Sequence, residues 1–139
     1  MKKVLFSTRS YAIDAALLGL RLAVSIMIMT HGWSKIANFS ENLNVFPDPI
    51  GLGSAVSLQL SIFAEFFCAL LVALGFMTRF ALIPLIINMA VVVLVVHSAD
   101  PFGVKELPLI FLLNFLALLL MGPGKYSMDY QISVRGNRY

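Results

Sequence analysis

Residues 80–96 read FALIPLIINMAVVVLVV, a run without one Asp, Glu, Lys or Arg. Its length decides how it folds. A strand of a membrane barrel alternates over about 10 positions, whereas a helix needs about 20 mostly apolar residues to cross a bilayer. Hydrocarbon offers no water, so the backbone must satisfy its own hydrogen bonds, and a continuous apolar run does so as a helix. Residues 80–96 therefore form the heart of a membrane-spanning helix.

Three similar runs lie around it. Thr78 and Arg79 make a very short link to the run before, so those two helices should be antiparallel neighbours. After it, SADPFGVKE (98–106) leads into a fourth run, and GPGK (122–125) ends that one. NVFPDPIGLGS (44–54), with its prolines and glycines, separates the first run from the second. One membrane domain is expected, with helices over about 12–36, 55–77, 79–97 and 106–122, a loop over about 37–54 and a tail over 123–139. Pro84 and Pro108 fall near predicted helix starts, where N–H groups have no intrahelical partner and proline costs little.

Composition agrees. Of 139 residues, 60% are hydrophobic and 12% charged, and the mean hydropathy is +0.91. A soluble domain carries about 25% charged residues. The net charge of +3 invites a nucleic-acid reading, but no basic-aromatic patch or nucleic-acid motif accompanies it. The single cysteine, Cys68, excludes intrachain disulfides, CxxC redox chemistry and thiolate clusters; it reads as a small buried apolar residue. MKKVLF at the start resembles a signal peptide, but the run that follows is of full membrane length and reads as a retained helix.

Charge sets the expected orientation. With both termini in the cytoplasm, Lys2, Lys3, Arg9, Arg79, Lys125, Arg135 and Arg138 lie inside, against Lys35 and Lys105 outside. That is the positive-inside bias. The expected architecture is an all-α, integral membrane four-helix bundle with cytoplasmic N and C termini, and the lipid bilayer is its first partner.

The polar residues within the runs carry the functional reading. At about 100° per residue, Arg21, Ser25, His31, Gly32 and Lys35 share an arc of about 120° on the first helix. Ala15, Gly19 and Ala23 take the opposite face, a spacing suited to close helix approach, and would meet a partner helix or a second copy. Ser54, Ser57, Ser61, Glu65, Cys68 and Gly75 form a polar or small stripe on the second helix. Counted from the cytoplasmic ends, Arg21 and Glu65 lie at depths matching within about 5 Å at 1.5 Å per residue. A lone charge at mid-bilayer costs at least about 2.5 kcal/mol, so the two are expected to pair. Such a pair either fixes helix register or handles protons and polarises a ligand.

Toward the outer face lie His31, Lys35, His97 and Glu106, with Asp48 and Asp100 in the loops. Histidine can move protons near neutral pH. Asn88 and Asn114 are expected to make only ordinary interhelical hydrogen bonds, and Trp33 fits an interfacial aromatic belt. No HxxxH or ExxH spacing supports a metal site. Nucleophile elbows, phosphate loops and dinucleotide fingerprints are also missing.

RL at 21–22 followed by HGWSK at 31–35 resembles the first-helix motif of the DoxX family of small bacterial membrane proteins. AEFFCALLVALGFMTR (64–79) resembles the family's second-helix pattern, and GPGKYSMD (122–129) its closing signature. The resemblance spans nearly the whole chain, with the motifs in order. It implies a four-helix membrane bundle in the bacterial inner membrane. The family takes its name from a subunit associated with thiosulfate:quinone oxidoreductase, so the resemblance also implies a link to membrane oxidoreductase complexes. Arg21, His31, Lys35, Glu65 and Arg79 fall on motif positions.

Combining both lines, the expectation is a quinone-linked oxidoreductase subunit that draws its electrons from a partner oxidoreductase. No covalent cofactor is expected. Glu65 and His31 are the candidate catalytic groups. Arg21, Lys35, Ser61, His97 and Glu106 are candidate ligand-binding residues, and Arg79 and Asp129 structural ones. The rival readings are a non-enzymatic scaffold or assembly factor, and a small-molecule or lipid-binding protein. A transporter fits less well, since four short helices make a poor channel.

Overall fold

A computed structural model describes residues 12–136. Lys2, Lys3, Arg9 and Arg138 of the charge count, and the MKKVLF stretch, lie outside the described residues. Four helices are long and apolar enough to cross a membrane: α1 (Ile13–Ala37), α3 (Ser54–Leu74), α4 (Thr78–Val96) and α5 (Phe102–Met121). The shortest has 19 residues, about 28 Å at 1.5 Å per residue, which matches the hydrocarbon thickness. Two short helices, α2 (Phe39–Asn42) and α6 (Met128–Gly136), follow α1 and α5. The described residues contain no strand.

Helix α1 packs along α3, α3 against α4, α4 against α5, and α5 closes the ring against α1. Leu58, Val72, Leu82, Leu85, Phe115 and Leu118 fill the centre, and Cys68 lies among them. Phe80, Leu94, Leu113 and Leu120 point outward. A bundle that is apolar inside and out is what a lipid solvent asks for, because chain tails are as apolar as leucine. The link between α3 and α4 is as short as expected: Gly75 ends α3 at φ 70° and Met77 precedes α4 at φ 48°.

Three details depart from the sequence expectation. Helix α4 starts at Thr78 and α5 at Phe102, so Pro84 and Pro108 each lie well past the first turn. Each removes a backbone donor, freeing the carbonyls of Phe80 and Val104 from their i→i+4 bonds. Second, α3 contains a π-helical stretch at Phe63–Cys68, and α4 ends in another at Val92–Val96. Third, Arg21 does not pair with Glu65.

Arg21 is 1% exposed and meets the chain's closing segment instead. Its Nη1 donates to the Pro123 carbonyl at 2.6 Å and its Nη2 to that of Tyr126 at 2.8 Å. Helix α1 begins below the end of α3, so Arg21 lies level with Gly75 rather than with Glu65. A Cβ on Gly75 would come within 2.6 Å of Arg21 Nη1 and of Ser127 Cβ. Gly122 and Gly124, both at positive φ, turn the chain back under α1. There the Lys125 amide donates to Asp14 at 3.0 Å.

Asp129 finishes this knot. Its carboxylate accepts from the backbone N–H of Met77 (2.7 Å) and Thr78 (2.9 Å) and from the Thr78 hydroxyl (2.7 Å). These are open donors at the start of α4, and a carboxylate there also meets the positive end of the helix dipole. Burial pushes the Asp129 carboxyl up. The Thr78 and Met77 hydrogen bonds and the Arg21 charge outweigh it and hold the group below its ordinary value.

Candidate functional site

Glu65, 2% exposed, sits in the π-helical stretch of α3 and faces three donors. Lys35 Nζ from α1 lies 2.5 Å from Oε2. Asn88 Nδ2 from α4 donates to Oε1 at 2.9 Å, and the Ser61 hydroxyl, one turn earlier on α3, donates to the same oxygen at 3.1 Å. Lys35 also donates to Ser61 at 2.8 Å. A buried carboxylate is tolerated only when paired and hydrogen-bonded, and this one has both.

Local structure explains the meeting. A π turn carries an extra residue and rotates the side chains after it around the axis. At this turn α1 approaches very closely: a Cβ on Gly32 would lie 2.9 Å from the Glu65 carbonyl carbon and the Phe66 nitrogen. Glycine at position 32 lets the two backbones touch, and that brings Lys35, one turn on, within reach of Glu65.

The cluster opens into a cleft of about 630 Å³. Helices α3 and α4 are pinned together at Gly75–Thr78, and the cleft lies toward their far ends. Pro84, Asn88 and the π-helical Val92 and Val96 form one wall, and Pro108 and Phe111 of α5 another. Phe46, Pro47, Pro49 and Ile50 of the loop between α2 and α3 cover its end, with the Phe46 ring 5.6 Å from Lys35 Nζ. Asp48 holds that loop in place by accepting from the amides of Leu52 and Gly53 (2.9 Å each) and from the Ser57 hydroxyl (3.0 Å). The hydrogen bond from the Gly53 amide leads in holding the Asp48 carboxyl below its ordinary value.

The structure brings together Glu65, Lys35 and Ser61 and adds Asn88. His31 lies on the cleft wall, exposed, with its ring edge-on to Phe111 at 6.2 Å. It makes no hydrogen bond to the Glu65 group. His97 also lines the cleft, with Nδ1 2.7 Å from Asp100. Arg21 belongs to the knot at the opposite end. Glu106 is exposed and outside the cleft lining, and so is Arg79, which approaches Gly122. Ala15, Gly19 and Ala23 are all exposed. Trp33 packs on Phe66 outside the cleft.

Asn88 is the residue that sequence reasoning undervalued. Its one signal was its place four residues after Pro84 in an otherwise apolar run. Asn114 bonds the Ile110 carbonyl of its own helix instead of a neighbour. Among the described residues no group of His, Cys, Asp or Glu could hold a metal ion.

This bundle, with its buried charged cluster, defines a multi-pass membrane protein. The family model for DoxX matches residues 16–98, and the chain belongs to that family. It is 30% identical to the inner membrane protein YqjF of Escherichia coli, over 84% of this chain and 91% of that one. It is 28% identical to an uncharacterized membrane protein of Mycobacterium tuberculosis, over 84% and 80% of the two chains. No solved structure gives a significant match.

Proposed function

We propose that this protein binds a membrane-dissolved quinone in the Glu65 cleft, as the quinone-linked subunit of an oxidoreductase in the bacterial inner membrane. The observation that carries this reading is a fully hydrogen-bonded carboxylate opening onto an apolar cleft within the bilayer zone. The donor set fits a quinone headgroup. Lys35 carries three N–H bonds and uses two, and Asn88 carries two and uses one. One donor on each is therefore left for a headgroup oxygen. Glu65 is the proton-exchanging group beside them, and the apolar walls exclude water.

A quinone supplies the capacity to accept two electrons and two protons. The Glu65 carboxylate can take up and pass on one proton at a time, so both protons come from solvent through it in succession, while a partner protein must deliver the electrons. The test is a titration of a menaquinone analogue in lipid nanodiscs. A Trp33→Phe, Leu107→Trp variant puts the fluorophore on the cleft wall. Saturable quenching that weakens at least tenfold in Glu65→Gln and Asn88→Ala supports the reading. Linear quenching identical in all variants refutes it.

One observation favours a second reading, a scaffold. Ala15, Gly19 and Ala23 are exposed, and among the described residues nothing lies within 4 Å of a Cβ built on Gly19. Gly19→Leu would then abolish a homo-oligomer or a partner complex, measured by crosslinking in membranes, and leave the cleft intact.

A further inference from the structure

Two sides of the cleft differ in what guards them. At the loop end, Phe46, Pro47, Pro49 and Ile50 lie across the opening and Asp48 ties their loop to α3. On the flank between α3 and α4 no loop among the described residues lines the cleft. Leu60 and Phe63 of α3 and Ile87 of α4 line the cleft yet remain 48%, 51% and 58% exposed. They belong to membrane-spanning helices, so what they are exposed to is hydrocarbon.

We infer that this flank is a lateral portal through which the ligand arrives from the bilayer, leaving its hydrocarbon tail between Leu60, Phe63 and Ile87 while its polar head reaches Lys35, Glu65 and Asn88. The helices themselves make the gap. Helices α3 and α4 share the tight turn at Gly75–Met77 and stay packed near it. Helix α3 carries a π-helical stretch in its middle, α4 ends in another at the far end, and Pro84 stands where α4 faces the cleft. The ligand class is a membrane-resident amphipath with a long, flexible, apolar tail and a compact head that accepts hydrogen bonds. A head-only compound dissolved in water lacks the part that the portal holds. This inference rests on the cleft being a binding site but does not require the occupant to be a quinone.

Photolabelling separates the two. The full chain is reconstituted in nanodiscs containing a trace of a long-chain alkyl methyl ketone, a membrane-dissolved amphipath with a compact acceptor head, carrying a diazirine beside the carbonyl. After irradiation, labelled residues are mapped by peptide mass spectrometry. The portal predicts label on Ala64 and Asn88, which line the cleft, as well as on outward Leu113. A Leu60→Trp, Ile87→Trp variant that narrows the mouth should cut the Ala64 and Asn88 label at least fivefold and leave Leu113 unchanged. Phe63→Ala, which widens the mouth, should raise the cleft label, and it serves if the double variant fails to fold. Label confined to outward positions in the unmodified protein overturns the portal. If quinone titration fails while Ala64 and Asn88 are labelled, the portal stands and the quinone assignment falls. If quinone binds in a Glu65-dependent way while the cleft stays unlabelled, ligands pass the loop end and the portal is wrong.

Discussion

Arg21 and Glu65 are both almost wholly buried, on adjacent helices of one bundle, and they solve the same electrostatic problem in opposite ways. Arg21 is held by backbone carbonyls of the closing segment, with the Asp129 charge nearby. Its surroundings are packed so tightly that Gly75 has no room for a methyl group. Glu65 is held by three side chains from three helices, beside a cleft large enough for a ligand. Carbonyl partners fixed by a turn cannot move without undoing the turn. Side-chain partners can change rotamer and share their donors. The Arg21 end is built to stay shut, and the Glu65 end retains donors for a visitor.

If that contrast is right, damage at the two ends should separate stability from binding. The largest loss belongs to Gly75→Ala. It forces a positive φ on alanine and drives its Cβ into Arg21 and Ser127, costing about 3–5 kcal/mol in denaturant unfolding. Quinone titration of the folded fraction should be unaltered. Gly32→Ala comes next, at about 1–3 kcal/mol from overpacking against the π turn. Here binding should fall with stability, because the same contact aligns Lys35 with Glu65.

Glu65→Gln sharpens the contrast further. Breaking a fully buried pair costs about 3–5 kcal/mol, but Lys35 is partly exposed, so about 1–2 kcal/mol is expected. Adding Lys35→Met should recover that stability while ligand binding stays lost. Recovery of binding by the double variant would reduce the pair to a register device. Asp129→Asn is the mildest, at about 1 kcal/mol as for a lost helix cap. Its signature is in pH. The native carboxyl is held below its ordinary value, so its contribution is complete above about pH 4 and disappears as pH falls through the lowered value. Acid unfolding curves of the Asp129→Asn variant should be flatter in that range, with the Glu65 cleft unaffected.

Much of this was legible in the sequence. The four helices follow from apolar runs such as 80–96, and the split of small and polar faces on α1 from a period of 3.6. The pairing of Arg21 did not follow, because depth counted from helix ends assumes that helices start level. Helix α1 starts lower, and the tail supplies carbonyls that no composition argument reveals. The motif GPGKYSMD pointed to an important segment without saying which charge it would meet. Lys35 was placed on the right face of α1, yet its partner depended on the π turn at Phe63–Cys68, which has no sequence period of its own. Glu106 read as a ligand-binding residue, although it does not line the cleft, because residue type is visible in sequence and direction is not.

The Arg21 knot also imposes an order on biosynthesis. Its carbonyl partner Tyr126 is 105 residues further along the chain, roughly 5–20 s of translation at about 5–20 residues per second. Through that interval α1 is already in the membrane with a cation whose permanent partners do not yet exist. Water, lipid headgroups or the insertion machinery must tend the guanidinium until the last turn arrives. Completion of the chain is thus the event that seals this end of the bundle, and a ribosome that stalls before Pro123 leaves behind a membrane protein with an unsatisfied charge, marked out for quality control.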